Sequence, residues 1–231
     1  MDKNYFKGLT RRDYIQKVQE IIERDGKTDI SIRKIAKELG CSSAALYRYF
    51  ESKDELVYYL NLKVLENYIA RLNEAEKNWS NPWDIYVGVW DCYSKEAFSH
   101  PEEFETLFFK HNNATLSGAI REYYEMFPDN IQYTNEFFKE MLNTPDFLGR
   151  DFEMCKKCVE AGVITYENAV RLNRMVCMIY KGYFKTVYDE RPDENGQEML
   201  RKQCIRDIER IVKMLASDLK GYKNYYRKND I

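Results

Sequence analysis

The sequence predicts an all-α protein in which a small N-terminal three-helix domain precedes a larger helical domain. Two observations carry this prediction. The 231 residues include only 10 Gly and 5 Pro, which fall mostly between segments whose apolar residues recur at helical spacing. No alternating run of apolar and polar residues is bounded by hairpin turns. We therefore expect about nine helices, with one domain at 1–53 and a second at 54–231.

The first helix is expected to begin after Thr10 and to end near Gly26. Thr10 and Asp13 have the spacing of a capping box, in which each side chain accepts a hydrogen bond from the other residue's backbone N–H. The apolar positions expected in the core are Ile15, Val18 and Ile22.

Two short helices joined by a tight turn follow. Ser31 is placed to cap the second helix, which runs through Leu39, and Ser42 is placed to cap the third. Gly40 lies between them and permits the left-handed backbone that a tight turn requires. The pattern predicts a helix-turn-helix.

The third helix has a core face and a polar face. Leu46 and Phe50 are four residues apart, so they are expected to enter the core together. Ala44, Tyr47 and Arg48 then point outward. The flanks are Ser43, Ala45 and Tyr49. Small residues at the start of this helix would let it sit deep in a DNA major groove, where tyrosine hydroxyls and an arginine reach base edges or phosphates.

A long fourth helix is predicted from Ser52 to about Leu72. Ser52 and Glu55 have the capping-box spacing, and Lys53 beside the first backbone N–H groups would complete an anion site for a DNA phosphate. This helix starts beside the DNA and continues into the second domain, so it is the expected lever between them. Its apolar stripe is Leu56, Leu60, Val64 and Ile69.

The stretch SIRKIAKELGCSSAALYRYFESKDEL, residues 31–56, resembles the N-terminal domain of the tetracycline-repressor (TetR) family. The motif covers only about residues 10–57, yet it is far more specific than a generic helix-turn-helix. Cys41 replaces the usual Val, and Ala45 stands where many members carry Thr. The positions in register are Ser31, Ile35, Ala36, Gly40, Ser42, Leu46, Tyr47, Tyr49, Phe50, Lys53 and Leu56.

By position, this resemblance implies DNA contacts for eight residues. Those expected at backbone phosphates are Arg33, Tyr47, Tyr49 and Lys53. Those expected at base edges are Ser43, Ala44, Ala45 and Arg48. Alternatively, Tyr47 and Tyr49 form only the rim of a small core, and Arg48 is a solvated surface charge.

Charge and composition agree with a DNA-binding N-terminal domain. We call this domain, residues 1–53, the head, and the rest of the chain the body. Residues 1–53 hold 12 Lys and Arg against 8 Asp and Glu, whereas the rest of the chain holds 24 against 30. A basic head on an acidic body is expected to meet a polyanion. The sequence has neither the roughly 20 apolar residues of a membrane span nor a secretory signal, so we expect a cytoplasmic protein with reduced thiols.

The last two predicted helices carry regular apolar stripes. In the TetR family the corresponding helices pair with their copies in a second subunit, so the resemblance implies a homodimer. Alternatively, they close the core of the monomer. The residues predicted at the dimer interface are Leu172, Val176, Ile179, Tyr183, Ile208, Ile211, Leu215 and Leu219.

The middle of the chain is rich in aromatic residues. An aromatic stripe is more often core than a ligand site, but family members usually hold an effector cavity in this region. An aromatic cavity would suit a flat, apolar or cationic ligand. The residues predicted near it are Trp90, Phe108, His111 and Phe137.

Cys155 and Cys158 form a CxxC motif that could be redox-active or half of a zinc site. No second ligand pair follows, and no strand precedes the motif as in a thioredoxin-like site, so we interpret it as structural, with thiol-based sensing as an alternative. No phosphate-binding glycine loop or nucleophile elbow is present, and we predict no metal, no cofactor and no catalytic site.

These observations predict a homodimeric transcription regulator, a repressor released from a palindromic operator by a small ligand. One alternative is a TetR-like DNA-binding protein that works with architectural or protein partners and takes no small ligand. The other is an all-α enzyme or redox protein that has kept the head as a relic.

Overall fold

The computed structural model describes residues 9–25, 31–110, 113–128, 135–144, 146–223 and 225. These residues form helices and no strand, which confirms the all-α prediction. The helices are α1 (Arg11–Asp25), α2 (Ile32–Glu38), α3 (Ser43–Leu46), α4 (Lys53–Asn61), α5 (Val64–Glu76), α6 (Pro82–Ser99), α7 (Pro101–Glu105), which continues as a π-helical turn (Thr106–Lys110), α8 (Asn113–Met126), α9 (Glu136–Asn143), α10 (Phe147–Glu160), α11 (Tyr166–Glu190) and α12 (Glu194–Leu215).

The N-terminal helices begin where their caps predict. The Thr10 backbone N–H donates to Asp13 Oδ2 at 2.7 Å, and the Asp13 N–H donates to Thr10 Oγ1 at 3.3 Å. The hydrogen bonds that the Thr10 backbone N–H and the Thr10 hydroxyl donate to Asp13 Oδ2 lower the pKa of the Asp13 carboxyl. Ser31, Ser42 and Ser52 each accept a hydrogen bond from the backbone N–H three residues on.

The helix-turn-helix turns at Gly40, whose φ of 66° lies in the left-handed region. Leu46 and Phe50 are buried, as their spacing predicts. They join a small core shared by the first three helices, whose buried members are Tyr14, Ile15, Val18, Ile32, Ile35, Ala36 and Leu39.

The predicted single fourth helix is wrong, because the structure divides it into α4 and α5. The Lys63 N–H bonds to the Leu60 carbonyl at 3.4 Å, and the Leu65 N–H bonds to the Leu62 carbonyl at 3.0 Å. This i→i−3 pattern tightens the turn while Leu62 and Lys63 keep right-handed helical dihedrals. The break lets α4 pack against α1 while α5 packs against α6.

The body is organised around α6, which packs against α5, α7, α10, α11 and α12. Two ion pairs tie buried charges to this helix. Arg71 of α5 pairs with the buried Glu96 at 2.6 Å, and the buried Arg201 of α12 pairs with Asp91. The Asn81 side chain caps α6 by accepting hydrogen bonds from the backbone N–H groups of Trp83 and Asp84.

Gly162 lies between α10 and α11, as expected of glycines in this sequence, whereas Pro145 lies outside the described residues. Since α4 packs against both α1 and the π-helical turn, the boundary at residues 53 and 54 stays a prediction. In the part of the chain that the structure describes, no helix is long and apolar enough to cross a membrane.

Candidate nucleic-acid interface and effector cavity

The candidate DNA-binding surface is built on α3, a helix of only four residues. Its helical hydrogen bonding continues beyond Leu46, since the Tyr47 N–H bonds to Ser43 at 3.1 Å and the Phe50 N–H bonds to Leu46 at 3.0 Å. The two buried side chains, Leu46 and Phe50, therefore hold the segment on the head core. The intervening side chains of Tyr47 and Arg48 are left exposed.

All eight predicted DNA-contact residues keep accessible surface. Tyr47 is 54% exposed although its neighbour Leu46 is completely buried. The other exposed members are Arg33, Ala44, Arg48 and Lys53. The half-buried members are Ser43, Ala45 and Tyr49. Their arrangement leaves small side chains at the start of α3 and longer polar ones at its end.

Tyr49 is tied to the head core more firmly than Tyr47. Its ring packs on that of the buried Tyr14, with 4.9 Å between centroids. Tyr49 therefore combines a packed ring with an accessible edge, so the core-rim alternative describes part of its role.

The start of α4 carries both a cation and two carboxylates. Lys53 is its first residue, and Asp54 and Glu55 follow in the first turn. Arg11 neutralises one of these carboxylates, because it forms an ion pair with Glu55.

The same Arg11 connects the head to the body. Its other terminal guanidinium nitrogen, Nη1, pairs with Glu122 Oε1 of α8 at 2.7 Å. Its guanidinium carbon lies 4.0 Å from the ring centroid of Tyr59. The Tyr59 hydroxyl also donates to Glu122. The sequence does not indicate this connection, because the partners are up to 111 positions apart and no local pattern marks them.

The body contains a cavity of about 40 Å³ between α5, α6, α9, α10 and the π-helical turn. Its lining residues are Tyr68, Val89, Trp90, Tyr93, Phe108, Met141, Leu142, Phe147, Arg150, Asp151 and Met154. Of the four residues predicted near an effector, Trp90 and Phe108 line this cavity. Phe137 does not line it and instead packs on Phe138, with 5.8 Å between ring centroids. His111 lies outside the described residues.

Two charged residues at the cavity, Arg150 and Asp151, were missed by sequence analysis. Asp151 is fully buried and accepts hydrogen bonds from Trp90 Nε1 at 2.9 Å and Asn173 Nδ2 at 2.8 Å. Burial raises the pKa of its carboxyl to about 6 despite these donors. In the sequence LGRDFEMCKKC both charges look like surface residues of an amphipathic helix, and only the tertiary packing shows otherwise.

The cysteines of the CxxC motif are buried in α10. The Cys155 thiol lies 3.7 Å from Asp151 Oδ2, and the Cys158 thiol lies 3.9 Å from the carbonyl of Pro82. Burial raises the pKa of Cys158 to about 12 and that of Cys155 well above its ordinary value. Both thiols are therefore protonated at neutral pH and poorly reactive. Among the described residues, no group of three or more His, Cys, Asp or Glu could hold a metal ion.

The predicted dimer residues divide between core and surface. Those buried within this chain are Leu172, Val176, Ile208, Ile211 and Leu215. Those with accessible surface are Ile179, Tyr183 and Leu219. The buried five pack where α11 and α12 meet the rest of the body, so they have little surface to offer a partner. The outward face of the same helices carries other large apolar residues, which are Met175, Met178, Met199 and Met214.

Comparisons with known proteins agree with this geometry. The family described as bacterial regulatory proteins of the tetR family matches residues 19–60, which include α2, α3 and most of α4. An HTH-type transcriptional regulator of Staphylococcus aureus strain USA300 is 30% identical over 137 residues, covering 55% of this chain and 74% of that protein. Another, from strain MRSA252, is 20% identical over 184 residues, covering 78% and 95%.

Solved structures share the fold. A TetR-family transcriptional regulator from Mesorhizobium loti MAFF303099 superposes with a TM-score of 0.51 at 12% identity, covering 89% of this chain and 96% of that one. A protein of unknown function from Rhodococcus sp. RHA1 gives a TM-score of 0.54 at 18% identity, covering 94% and 100%. Together with the helix-turn-helix and the helical body, these matches show that the chain belongs to the TetR family of DNA-binding transcriptional regulators.

Proposed function

We propose that this regulator is a homodimeric repressor that leaves a palindromic operator when a small molecule occupies the body cavity. The observation that carries the proposal is that the α3 segment, residues 43–50, has both buried and exposed side chains. Leu46 and Phe50 are buried, whereas the polar side chains between them, Tyr47 and Arg48, are exposed. A buried anchor and an exposed polar surface are what a recognition helix needs to stay rigid in a major groove.

The proposed DNA contacts fall into two groups with different consequences. Arg33, Tyr47, Tyr49 and Lys53 contact phosphates, so they contribute affinity for any sequence. Ser43, Ala44, Ala45 and Arg48 lie against base edges, so they contribute preference for the operator.

The proposed dimer uses the outward face of α11 and α12. Met178 is 74% exposed, and three further methionines on these helices are exposed as well. Exposed Met side chains are flexible and apolar, so they can pack against a copy of the same face. A dimer places two recognition helices on successive major grooves, roughly 34–36 Å apart, and so doubles the DNA contacts.

The proposed signal travels from the cavity to the head through α4. Phe108 lines the cavity, and the π-helical turn that carries it packs directly against α4. The buried Tyr58 of α4 lies close enough to Arg150 that the guanidinium opposes the burial-induced rise in the pKa of the phenol. A ligand in the cavity displaces these neighbours, and α4 then moves Tyr47 and Lys53 out of register with the DNA.

A regulator that takes no small ligand is the second candidate function. The observation that favours it is the volume of the cavity, about 40 Å³, which is small for a drug-sized effector. Both candidates require the same DNA-binding surface.

The test is selection of an operator from random duplex DNA, followed by affinity measurements on variants. Tyr47→Ala should weaken operator binding at least tenfold, because it removes an exposed contact without touching the core. Lys220→Ala, which removes an exposed charge of the body, is the matched control. If no palindromic sequence is enriched, or if Tyr47→Ala binds the operator like the wild type, the proposed function is wrong.

A further inference from the structure

The first turn of α1 carries two adjacent arginines, Arg11 and Arg12, beside a single acidic residue, Asp13. Cations are unfavourable at the N-terminus of a helix, because the helix dipole is positive there. Both side chains reach out of α1 towards the end of α8. Arg11 pairs with Glu122. The Arg12 guanidinium carbon lies 5.4 Å from the ring centroid of Phe127, one residue beyond α8. Contacts between the head and the body therefore offset the unfavourable position of these two charges.

Arg11 joins three helices through one side chain. It forms ion pairs with Glu55 of α4 and Glu122 of α8, and its guanidinium carbon lies 4.0 Å from the ring centroid of Tyr59. The Tyr59 hydroxyl completes the set by donating a hydrogen bond to Glu122. We call these four residues the latch. A single exposed ion pair contributes little, but partly buried charges that share partners in one network contribute more.

The carboxylate of Glu122 comes from a helix that is itself packed into the body. Its neighbour on α8, Tyr123, is buried and donates a hydrogen bond to Glu66 of α5 at 2.7 Å. The same helix packs against α9 and the π-helical turn. The latch therefore ties the head to α8, and through α8 to the body as a whole.

The latch also reaches the candidate DNA-binding surface. Glu55 accepts hydrogen bonds at both carboxylate oxygens, from Arg11 at Oε1 and from the backbone N–H of Glu51 at Oε2. Glu51 lies in the turn between the α3 segment and Lys53, which is proposed to contact a phosphate. An uncompensated Glu55 would repel that phosphate, so its ion pair with Arg11 is compatible with bound DNA. A continuous series of polar contacts thus runs from α8 to the edge of the DNA-binding surface.

We propose that the latch holds the head in the orientation that meets DNA, so that Glu122 is a positioning residue for operator binding although it does not contact DNA. The inference rests on the proposed function, because it concerns a dimer whose two heads dock on successive major grooves, roughly 34–36 Å apart. A head that turns on the body is in register for only a fraction of the time. The apparent affinity falls in proportion to that fraction, so a tenfold loss corresponds to a fraction of about 10%.

The test compares binding to two duplexes, the selected palindromic operator and a duplex with a single half-site. Glu122→Gln keeps the shape of the side chain and an oxygen that can accept from Tyr59, but it removes the charge that pairs with Arg11. Operator affinity should fall at least tenfold. Half-site affinity should stay within about twofold of the wild type, because one head can meet one half-site in any orientation relative to the body. Glu125→Gln, at an exposed carboxylate of the same helix, is the matched control and should bind both duplexes as the wild type does.

Two outcomes of this comparison overturn the inference. Equal loss on both duplexes would mean that Glu122 supports the fold of the head rather than its orientation. Unchanged or tighter operator binding would mean that the latch does not hold the head in register. Tyr59→Phe, which removes only the hydroxyl of the latch, covers the case in which Glu122→Gln fails to fold. It should show a smaller loss confined to the operator, and a loss on both duplexes or on neither contradicts the latch there as well.

The distance between head and body, measured without DNA, distinguishes this inference from the proposed function. Spin labels at Lys37→Cys of α2 and Glu160→Cys of α10, both exposed positions, report this distance by electron–electron double resonance. The half-buried Cys41 is replaced by Val, and labelled chains are diluted with unlabelled ones so that only distances within one chain are measured.

The wild type and Glu125→Gln should give one narrow distance distribution, and Glu122→Gln a broader one. An unchanged distribution in Glu122→Gln overturns the latch, whatever DNA the protein binds. A broader distribution in Glu122→Gln, in a protein whose wild type does not prefer the operator to the half-site, supports the latch and contradicts the palindromic dimer of the proposed function.

Discussion

The head and the body of this regulator arrange their polar groups in opposite ways. In the head, Tyr47 and Arg48 stand exposed on a small core, and no large rearrangement is needed to meet DNA. In the body, Arg150 and Asp151 are buried at the wall of a small, mostly aromatic and apolar cavity. The head is therefore preorganised for a large rigid polyanion, whereas a ligand larger than the cavity would require the body to rearrange. Under the proposed function, the free energy of that rearrangement is coupled to the position of α4.

The largest effect is expected from breaking the head core alone. Phe50→Ala should destabilise the head by about 3–5 kcal/mol, because it removes a fully buried aromatic ring from a small core. Operator binding should be lost, while the helices of the body remain folded. Denaturant unfolding followed by circular dichroism measures this. The control is Phe137→Ala, which truncates a half-buried ring of the body and should leave operator binding intact. Equal loss of structure throughout the chain would contradict the separation of head and body.

A smaller effect is expected from the buried carboxyl of the body. Asp151→Asn should cost about 1–3 kcal/mol, because the new amide N–H₂ faces groups that donate to the carboxylate. Equilibrium denaturation at neutral pH checks the loss.

The same carboxyl predicts a pH dependence of stability. Its pKa is about 6 in the folded chain, above the ordinary value of 3.8, so between these values the folded chain keeps a proton that the unfolded chain has released. This group therefore lowers the free energy of unfolding as pH rises from about 4 to 6, by up to about 1.4 kcal/mol per pH unit. The stability of Asp151→Asn relative to the wild type must improve across that window. Glu160→Gln, at an exposed carboxyl, should show no such change, and parallel pH profiles for wild type and Asp151→Asn would contradict the buried charge.

On the head, Lys53→Ala tests a single phosphate contact. The slope of log affinity against log salt concentration should become shallower by about one, because one fewer counterion is released. Affinity should fall alike for operator and random DNA, since a phosphate contact reads no base. An unchanged slope, relative to the Lys220→Ala control, means that Lys53 does not contact the DNA.

The smallest effect is expected from oxidation of the body thiols. Cys155 and Cys158 are buried and protonated, so mild oxidant should leave operator affinity unchanged. The double variant with Ser at both positions should show the same insensitivity. Oxidant-dependent release that the double variant loses would restore thiol sensing as a function of this motif.

The sequence predicts the head much better than the body, for a physical reason. Capping residues such as Ser42 and Ser52 act on backbone groups three positions away, and the Leu46 to Phe50 spacing defines a face directly. The wall of the cavity is instead assembled from five separate segments of the chain, which no local pattern brings together. Trp90 and Phe108 could be predicted as part of an aromatic cluster. The position of Phe137 outside the cavity could not, because helical spacing does not define which neighbouring residue a ring contacts.

The break between α4 and α5 shows the same limit. No Gly or Pro marks residues 62–63, so the sequence favours one continuous helix. The break arises because the two halves pack against different partners, α1 and α6. The apolar periodicity of α11 and α12 predicts a stripe that could pair with a second subunit. Its members Leu172, Val176 and Ile208 are instead buried in the core of this chain.

Amide hydrogen exchange, with and without selected operator DNA, tests the division of roles most directly. The account predicts that operator protects residues 31–56, including the α3 segment, while leaving α10 unchanged. Protection by operator concentrated in the body, with residues 31–56 unchanged, would contradict the account.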